Sequence, residues 1–89
     1  MSFNNTTACA SCHSQEHAFG DPEQFSTGFN GELTGRHSMA IMNPFMGYRF
    51  FWDLRANGLE EQSLMPIEHP VEMGMDLADL EIKLAGLDY

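Results

Sequence analysis

Near the start of the chain stands Cys9-Ala10-Ser11-Cys12-His13, two thiols three positions apart with a histidine directly after the second. This Cys-x-x-Cys-His pattern is the attachment signature of a c-type haem. On one helical turn, two such thiols can reach the two vinyl groups of a single porphyrin, and the histidine then lies under the iron. Imidazole is a normal proximal ligand of haem iron. The pattern predicts one covalent haem c, with His13 as the metal ligand.

Other uses of the paired thiols fit this sequence less well. A thioredoxin-like motif would need a preceding strand and a βαβ pattern, which the residues before Cys9 do not supply. A zinc site would need a second pair of ligands at a fixed distance, and the chain has only two cysteines. A disulfide between Cys9 and Cys12 would leave His13 unexplained. Covalent haem is therefore the preferred interpretation, and it makes Cys9, Cys12 and His13 cofactor-binding residues.

The length of the chain also favours a bound cofactor. With 89 residues, it is predicted to be a single domain spanning residues 1–89. A chain of this size buries only about 60–65% of the surface that it exposes when unfolded. Aliphatic and aromatic residues make up 43% of the sequence, which excludes disorder by composition. A porphyrin would supply the additional apolar surface that such a short chain needs for a stable core.

Acidic residues dominate the charge, with 13 Asp and Glu against 4 Lys and Arg and a formal net charge of −9. A nucleic-acid-binding protein would need a basic surface, so that function is not expected. The negative charge instead favours a basic protein partner, such as an electron-donor cytochrome. No apolar run approaches the ~20 residues of a transmembrane helix, so no membrane span is expected.

The cellular location is predicted from the chemistry of attachment. Haem c is attached outside the bacterial cytoplasm, so we expect a periplasmic or otherwise extracytoplasmic protein. Residues 1–7 contain neither the basic nor the apolar region of a signal peptide. We therefore expect the translated chain to start elsewhere. A cleaved leader, an engineered start and a fragment of a longer protein all fit this observation.

The first half of the chain shows little regular pattern. Thr6 and Thr7 are candidate N-caps for a short helix through Cys9–His13. Residues 20–37 contain many glycines and no helical or strand periodicity, which predicts a long loop of the kind that drapes over a cofactor. Residues 38–52 are rich in methionine and aromatic side chains, and most of these are predicted to belong to the core.

The second half of the chain contains two helical patterns. The first is predicted over Leu54–Leu64, with Pro66 and Pro70 on either side of a following turn. The second begins at Asp76 as N-cap and ends at Gly86. Its leucines recur at helical spacing on one face, namely Leu77, Leu80, Leu84 and Leu87. The predicted fold class is mostly α with extensive loops, a c-type cytochrome-like domain wrapped round one covalent haem.

Further short segments follow the haem motif in a specific order and spacing. They are Gly35-Arg36-His37-Ser38-Met39, Phe51-Trp52-Asp53-Leu54-Arg55-Ala56, Leu59-Glu60-Glu61-Gln62, Pro66-Ile67 and Val71-Glu72-Met73. Together with the haem motif, they resemble the N-terminal haem domain of the bacterial di-haem cytochrome c peroxidases. The resemblance extends from Cys9 to the final helix and implies that Arg36 takes part in cofactor binding.

In that family, the N-terminal haem is the place where hydrogen peroxide is cleaved, and a second haem domain relays electrons from a donor cytochrome. The resemblance implies that Gln62 and Glu72 stand on the peroxide side of the iron, and that Trp52 lies between the two haems. A carboxylate close to peroxide can move a proton from the near oxygen to the far one. Glu72, Gln62 and Trp52 are therefore the candidate catalytic residues. Without the resemblance, they would be read as a turn residue, a solvated helix residue and a core residue.

Two positions depart from the family pattern. Phe29 stands where the family usually has a distal histidine, so it is expected near the iron without ligating it. We expect no histidine on the sixth position, although His17, His37 and His69 are other candidates. His37 also replaces an asparagine that follows the equivalent of Arg36 and helps to bind an interdomain calcium ion. Calcium prefers oxygen ligands, so a calcium site is left as an open alternative.

The single haem motif leaves two classes of function open. Residues 1–89 are either a peroxidatic domain whose second haem lies on another chain or in a C-terminal continuation, or a monohaem electron carrier or cytochrome subunit of a larger assembly. A methionine such as Met39, Met65 or Met73 on the sixth position would indicate the second class, because His/Met ligation raises the reduction potential and closes the site. The electron donor and the oligomeric state are not predicted.

Replacing His13 by Ala removes the predicted axial ligand, so we expect misassembled or unstable protein. Haem content measured by pyridine haemochrome absorbance, together with thermal unfolding, checks this outcome. His17→Ala serves as the matched control and is expected to change neither. A His13→Ala protein that folds like the parent while holding no haem would contradict the prediction, because the core would then not depend on the porphyrin.

Overall fold

A computed structural model describes residues 1–42 and 47–88 of the chain. Loops predominate in these ranges, and the α-helices are α1 (Leu59–Glu68) and α2 (Leu77–Ala85). The described residues contain no β-strand, and isolated antiparallel bridges such as Ser14 with Gly20 hold the loops together. Neither helix in the described ranges has both the length and the hydropathy needed to cross a membrane. The predicted class of helices with extensive loops is confirmed at this coarse level.

Helix α2 has the predicted boundaries. The Asp76 carboxylate accepts hydrogen bonds from the N–H groups of Ala78 at 2.8 Å and Asp79 at 3.4 Å. An N-cap of this kind contributes about 0.5–2 kcal/mol to helix stability. Gly86 follows as the C-cap. Near this end, the Lys83 ammonium donates to the Ser2 carbonyl at 3.3 Å and so ties α2 to the start of the chain.

Helix α1 differs from the predicted Leu54–Leu64 helix at both ends. It begins after Gly58, its N-cap. Leu54 cannot belong to it, because its φ of 58° lies in the left-handed region that an α-helix excludes. Glu61 instead marks the true start, since its carboxylate accepts the Asn57 N–H at 2.8 Å. Two acidic residues in the first turn also favour a start here through the helix dipole.

The C-terminal half of α1 contains a proline. Pro66 was predicted to border a turn but lies inside the helix, which continues to Glu68. Proline is compatible with this position only at a cost, because it lacks an N–H group for the helical ladder. The carbonyl of Gln62, four residues earlier, therefore receives no helical hydrogen bond from Pro66. The prediction failed because α1 tolerates this missing bond and ends at His69, its C-cap.

The haem motif forms a 3₁₀ turn rather than a longer helix. The turn covers Cys9–Ser11, and its N-cap is Ala8, not Thr6 or Thr7 as predicted. The Ser11 hydroxyl accepts the Ala8 N–H at 3.1 Å, which closes the start of the turn. At the other end, the His13 N–H donates to the Cys9 carbonyl at 3.0 Å. A single turn of chain therefore still connects the first thiol to the histidine.

The described residues bury few apolar side chains. The buried hydrophobic residues among them are Ala56, Met73 and Met75. The core predicted within residues 38–52 is wrong for Tyr48 and Trp52, which are 91% and 62% exposed; Phe45 and Met46 lie outside the described residues. The accessible surface of 6387 Å² exceeds the roughly 5,200 Å² expected for a folded protein of this mass. The fold thus presents apolar surface that a large cofactor or a second domain can cover.

The long loop crosses the chain after α1 at Gly28. We call residues 69–75, which follow α1, the Glu72 turn. A Cβ atom added to Gly28 would lie 1.6 Å from the Val71 carbonyl oxygen, so only glycine fits at this crossing. Next to it, the Phe29 N–H donates to the Glu72 carbonyl at 3.0 Å. The crossing therefore fixes the backbone of the Glu72 turn against the loop.

A second glycine completes the crossing. Gly74 has a φ of 56°, a conformation that other residues adopt at a cost. A Cβ on Gly74 would lie 2.5 Å from the Cε1 atom of the Phe29 ring. Two glycines, one from each segment, thus allow the loop and the Glu72 turn to interlock.

Replacing Gly28 by Ala forces the loop away from the Glu72 turn, because the new Cβ overlaps the Val71 carbonyl. We expect this overpacking to lower the free energy of unfolding by about 1–3 kcal/mol. Denaturant unfolding of the haem-loaded protein measures the change. Gly35→Ala is the matched control, since a Cβ there meets nothing within 4 Å. Equal stability of the two variants would show that the crossing is not under steric constraint.

Candidate haem site

One open cleft of about 230 Å³ contains many of the predicted site residues. They come from separate parts of the chain and are His13, Arg36, Trp52, Gln62 and Glu72. Two candidates for the sixth iron ligand, Met39 and His69, also line the cleft, as does Arg55, to which the sequence assigned no role. The cleft is smaller than the ~300–1,000 Å³ of pockets that enclose a drug-sized ligand. It is therefore an open surface on which a larger group would rest, rather than a closed chamber.

His13 is half-buried in this cleft with its ring orientation fixed. Its Nδ1 lies 2.9 Å from the Phe19 carbonyl oxygen. A carbonyl can only accept, so Nδ1 carries the proton and the neutral ring keeps its lone pair on Nε2. Hydrogen bonds of this kind orient the ring of a metal-binding histidine. His13 is thus prepared to bind a metal through Nε2.

The Phe19 carbonyl points at His13 because of an unusual local backbone. Both Ala18 and Phe19 have positive φ values, 54° and 60°. Such conformations are costly for residues other than glycine and persist only where surrounding bonds hold them. Here the Phe19 N–H donates to the Ser14 carbonyl at 2.8 Å, and the Ser14 N–H donates to the Gly20 carbonyl at 3.1 Å. This tight turn positions the acceptor for the His13 ring.

The two cysteines of the motif are free thiols. Cys9 is exposed and Cys12 is half-buried. Burial raises the pKa of the Cys12 thiol, against a hydrogen bond with Ser26 that lowers it, and the charges of Asp21 and Glu72 raise it further. Cys12 therefore stays a neutral thiol near neutral pH. Neither cysteine forms the disulfide that would prevent attachment to a porphyrin.

The residues present fit a haem c. Two free thiols, Cys9 and Cys12, stand four and one positions before His13, whose Nε2 lone pair is available to iron, although His13 lines the cleft and neither thiol does. Apolar side chains of Met39, Phe51 and Trp52 line the same cleft, as a porphyrin face requires. Within residues 1–42 and 47–88, no group of three or more His, Cys, Asp or Glu side chains is arranged to hold a metal ion.

Gln62 and Glu72 reach the cleft from different elements. Gln62 lies on α1, and Glu72 lies in the turn that follows this helix. The Glu72 backbone is held on both sides, because its N–H donates to the His69 carbonyl at 3.1 Å and its carbonyl accepts from Phe29. The Glu72 carboxylate Oε1 lies 3.7 Å from Nδ1 of His69. An amide, a carboxylate and an imidazole thus line one side of the chain's cleft.

Trp52 lies in the cleft lining but remains largely exposed. Its indole N–H donates to the His37 carbonyl at 3.1 Å. The flanking residues Phe51 and Leu54 have positive φ values of 65° and 58°, so this loop is held in a strained conformation. The bulky ring is therefore positioned by its backbone and by one hydrogen bond, with a face accessible to another molecule.

A small ion-pair cluster borders the cleft beside Trp52. Asp53 pairs with Arg55 at 3.0 Å and with Arg36 at 3.5 Å. Desolvation acts to raise the pKa of Asp53, but the hydrogen bond and charge of Arg55, with the charge of Arg36, hold it below its ordinary value. The Arg55 guanidinium also stacks 3.6 Å from the Phe51 ring centroid. Two guanidinium groups beside the cleft suit the carboxylates of a porphyrin.

Arg55 and His69 are site residues to which the sequence assigned no role in the site. Arg55 stood inside a matching motif, and it is one of only 4 basic residues in an acidic chain, a signal that could have identified it. His69 was noted only as a competing ligand. Its place in the cleft depends on the bend between α1 and the Glu72 turn, which sequence spacing does not reveal.

Several other predicted residues lie outside the cleft lining. Phe29 packs its ring against Gly74 in the crossing described above. His37 is exposed, with its Nδ1 donating to the Glu23 carbonyl at 3.0 Å. His17 is exposed in a separate 3₁₀ turn. Of the histidines considered as competing ligands, His69 is therefore the one that lines the cleft.

Known proteins match most of the length of this chain. The methylamine utilization protein MauG of Methylophilus methylotrophus is 31% identical over 88 residues, covering 99% of this chain and 26% of that protein. The cytochrome c551 peroxidase of Pseudomonas aeruginosa is 32% identical over 73 residues, covering 82% of this chain and 21% of that protein. The chain thus spans about a quarter or less of the length of these relatives.

Structural comparison agrees with the sequence matches. The crystal structure of a MauG-like protein associated with microbial copper homeostasis superposes with a TM-score of 0.76 at 35% identity, covering 94% of this chain and 25% of that one. The family model described as di-haem cytochrome c peroxidase matches residues 1–89. Because this match runs the whole length of the sequence, the chain belongs to the di-haem cytochrome c peroxidase family.

Proposed function

We propose that residues 1–89 form the peroxidatic haem domain of a larger di-haem protein that reduces hydrogen peroxide to water. The observation that carries this proposal is the shared cleft of His13, Gln62 and Glu72. Electrons come from a donor cytochrome through a second haem domain, on another chain or in a C-terminal continuation. The overall reaction consumes one peroxide, two electrons and two protons and yields two water molecules.

The chain's own residues bind and orient a single haem c. Cys9 and Cys12 would carry the thioether bonds, and His13 would bind the iron through Nε2 while the Phe19 carbonyl accepts a hydrogen bond from its Nδ1. Arg36 and Arg55 pair with the carboxylates of the porphyrin. Haem c supplies the iron at which peroxide binds and through which electrons arrive. The loops then wrap round the porphyrin and cover apolar surface that is exposed in the protein alone.

Glu72 moves the proton that O–O bond cleavage requires. With haem c bound, its carboxylate would take a proton from one oxygen of hydrogen peroxide and deliver it to the other oxygen, so that the latter could depart as water. Positioned general acid–base groups typically contribute ~10²–10⁴ in rate. Gly28 of the loop and Gly74 of the Glu72 turn support this role, because the close crossing that they permit holds the backbone of the turn in place.

Gln62 holds peroxide without changing the charge of the site. Its side-chain amide can donate to one peroxide oxygen and accept from the other. Its place on α1, one helical turn before Pro66, keeps the amide directed from a rigid element. A neutral hydrogen-bonding group here leaves Glu72 as the proton-transferring residue of the pair.

Trp52 and the acidic surface serve electron transfer. The exposed indole at the cleft edge is available to a neighbouring haem domain and provides the path between the two haems. A net charge of −9 favours a basic electron donor, whose approach is accelerated at low ionic strength. An extracytoplasmic, periplasmic location follows from covalent haem attachment. The proposal includes no calcium ion, because His37 stands in place of the family's asparagine and its imidazole is hydrogen-bonded to the Glu23 carbonyl.

A second candidate function is electron transfer without peroxide chemistry, as a monohaem carrier or a cytochrome subunit. Met39 supports this alternative, because its thioether lines the same cleft as His13. A methionine on the sixth position would raise the reduction potential and close the site to peroxide. The optical spectrum of the oxidised protein separates the two functions: a high-spin band supports the open iron, and a weak methionine–iron band supports the carrier.

Replacing Glu72 by Gln keeps the shape of the side chain and removes its proton-transfer capacity. In the full-length, haem-loaded protein, we expect peroxide turnover with an added reductant to fall by ~10²–10⁴. The haem absorption spectrum is expected to stay similar to that of the parent. The matched control is Glu68→Gln, which makes the same charge change at an exposed position at the end of α1. Equal turnover in the Glu72 variant and the parent would favour the electron-carrier function.

A further inference from the structure

His69 connects α1 to the Glu72 turn through its backbone. It is the C-cap of α1, where its N–H donates to the Met65 carbonyl at 3.0 Å. Its own carbonyl accepts two hydrogen bonds, from the N–H of Glu72 at 3.1 Å and from that of Gly74 at 2.9 Å. The position of the His69 Cα atom is thus determined on both sides, which gives its side chain a defined direction.

The His69 ring is also oriented by the turn. The Val71 N–H donates to Nδ1 of His69 at 3.3 Å. A ring nitrogen that accepts a hydrogen bond carries no proton, so the proton of the neutral imidazole is on Nε2. This arrangement is opposite to that of His13, whose Nδ1 is protonated and whose Nε2 carries the lone pair. His13 is therefore arranged as a metal ligand, and His69 as a hydrogen-bond donor.

His69 has access to the cleft and to the catalytic carboxylate. Its side chain is 43% exposed and lines the same cleft as His13 and Gln62. Its Nδ1 is 3.7 Å from Oε1 of Glu72, which is beyond hydrogen-bond distance, so the Glu72 carboxylate and the His69 ring are not hydrogen-bonded to each other. The Nε2–H group can then donate a hydrogen bond to a molecule bound in the cleft.

We infer that His69 is a third polar group of the peroxide-binding cleft, where its Nε2–H donates a hydrogen bond to the bound oxygen ligand beside Glu72. The inference rests on the proposed function. Donors that are already oriented stabilise negative charge as it develops on an oxygen, because no reorganisation is needed at the moment of reaction. His69 supplies such a donor from the same turn that carries the proton-transferring carboxylate.

The chain offers a variant that separates this role from that of the turn. In His69→Asn, the side-chain Oδ1 can take the place of Nδ1 and accept the Val71 N–H, since asparagine commonly accepts the backbone N–H two residues later. The turn is then preserved while the Nε2–H donor is lost. In His69→Gln, the amide Nε2 can retain a donor close to that of the imidazole.

The experiment measures the affinity of the ferric, full-length protein for fluoride by absorption titration. Fluoride is a small anion that accepts hydrogen bonds at the position of a bound peroxide oxygen. We expect His69→Asn to raise the Kd for fluoride by about 10–100-fold, the effect of a hydrogen bond to a charged group. His69→Gln is expected to keep most of the affinity, and His17→Asn, an exposed control, all of it. Thermal unfolding of His69→Asn is expected to match the parent.

Three results would overturn the inference. An unchanged Kd in His69→Asn would mean that His69 is only a turn residue. An equal loss in the Asn and Gln variants would show that the donor is not responsible. Tighter fluoride binding in His69→Asn, with a bis-histidine electron paramagnetic resonance signal in the parent, would mean that His69 ligates the iron. A Glu72→Gln protein with normal turnover would instead defeat the proposed function while leaving the fluoride result interpretable.

Discussion

The hydrogen bond from the Phe29 N–H to the Glu72 carbonyl joins the loop after the haem motif to the turn after α1. It can form only because Gly28 lets the loop pass directly against the Val71 carbonyl. A hydrogen bond between segments so distant in sequence determines what short-range structure cannot, namely where the Glu72 turn lies relative to the loop that follows the haem motif. Of the polar residues that line the cleft, Glu72 and His69 belong to the turn that this crossing holds in place.

The haem-binding side is built differently, from contacts that are local in the chain. His13 is oriented by Phe19, a few residues later, and the turn between them is closed by its own backbone hydrogen bonds. Such a unit can form before the rest of the protein is folded, because closing a short loop costs little entropy. The chain thus combines His13, whose orientation is determined locally, with Glu72, whose backbone is held by a long-range hydrogen bond.

Charge and apolar exposure are arranged unevenly around the cleft. In a chain of net charge −9, two of the 4 basic side chains, Arg36 and Arg55, lie at its border and share Asp53. Among the residues that line the cleft, the large apolar side chain of Trp52 is exposed. A porphyrin needs both features, carboxylate partners at one edge and apolar contacts on its faces. The presence of both basic and apolar side chains at one cleft is what a haem-binding protein of this family requires.

The sequence alone was sufficient for features that depend on neighbouring residues. The Asp76-capped helix α2 is such a feature, because capping involves residues within one turn, and the Cys9–His13 motif is equally local in the chain. Helix α1 was misplaced since the left-handed backbone at Leu54 is imposed by the loop around it, not by leucine itself. The resemblance assigned Gln62 and Glu72, but only the tertiary structure brought them beside His69 and Arg55. The cleft is formed by segments that are distant in sequence, and the spacing of residues along the chain does not predict which distant segments come into contact.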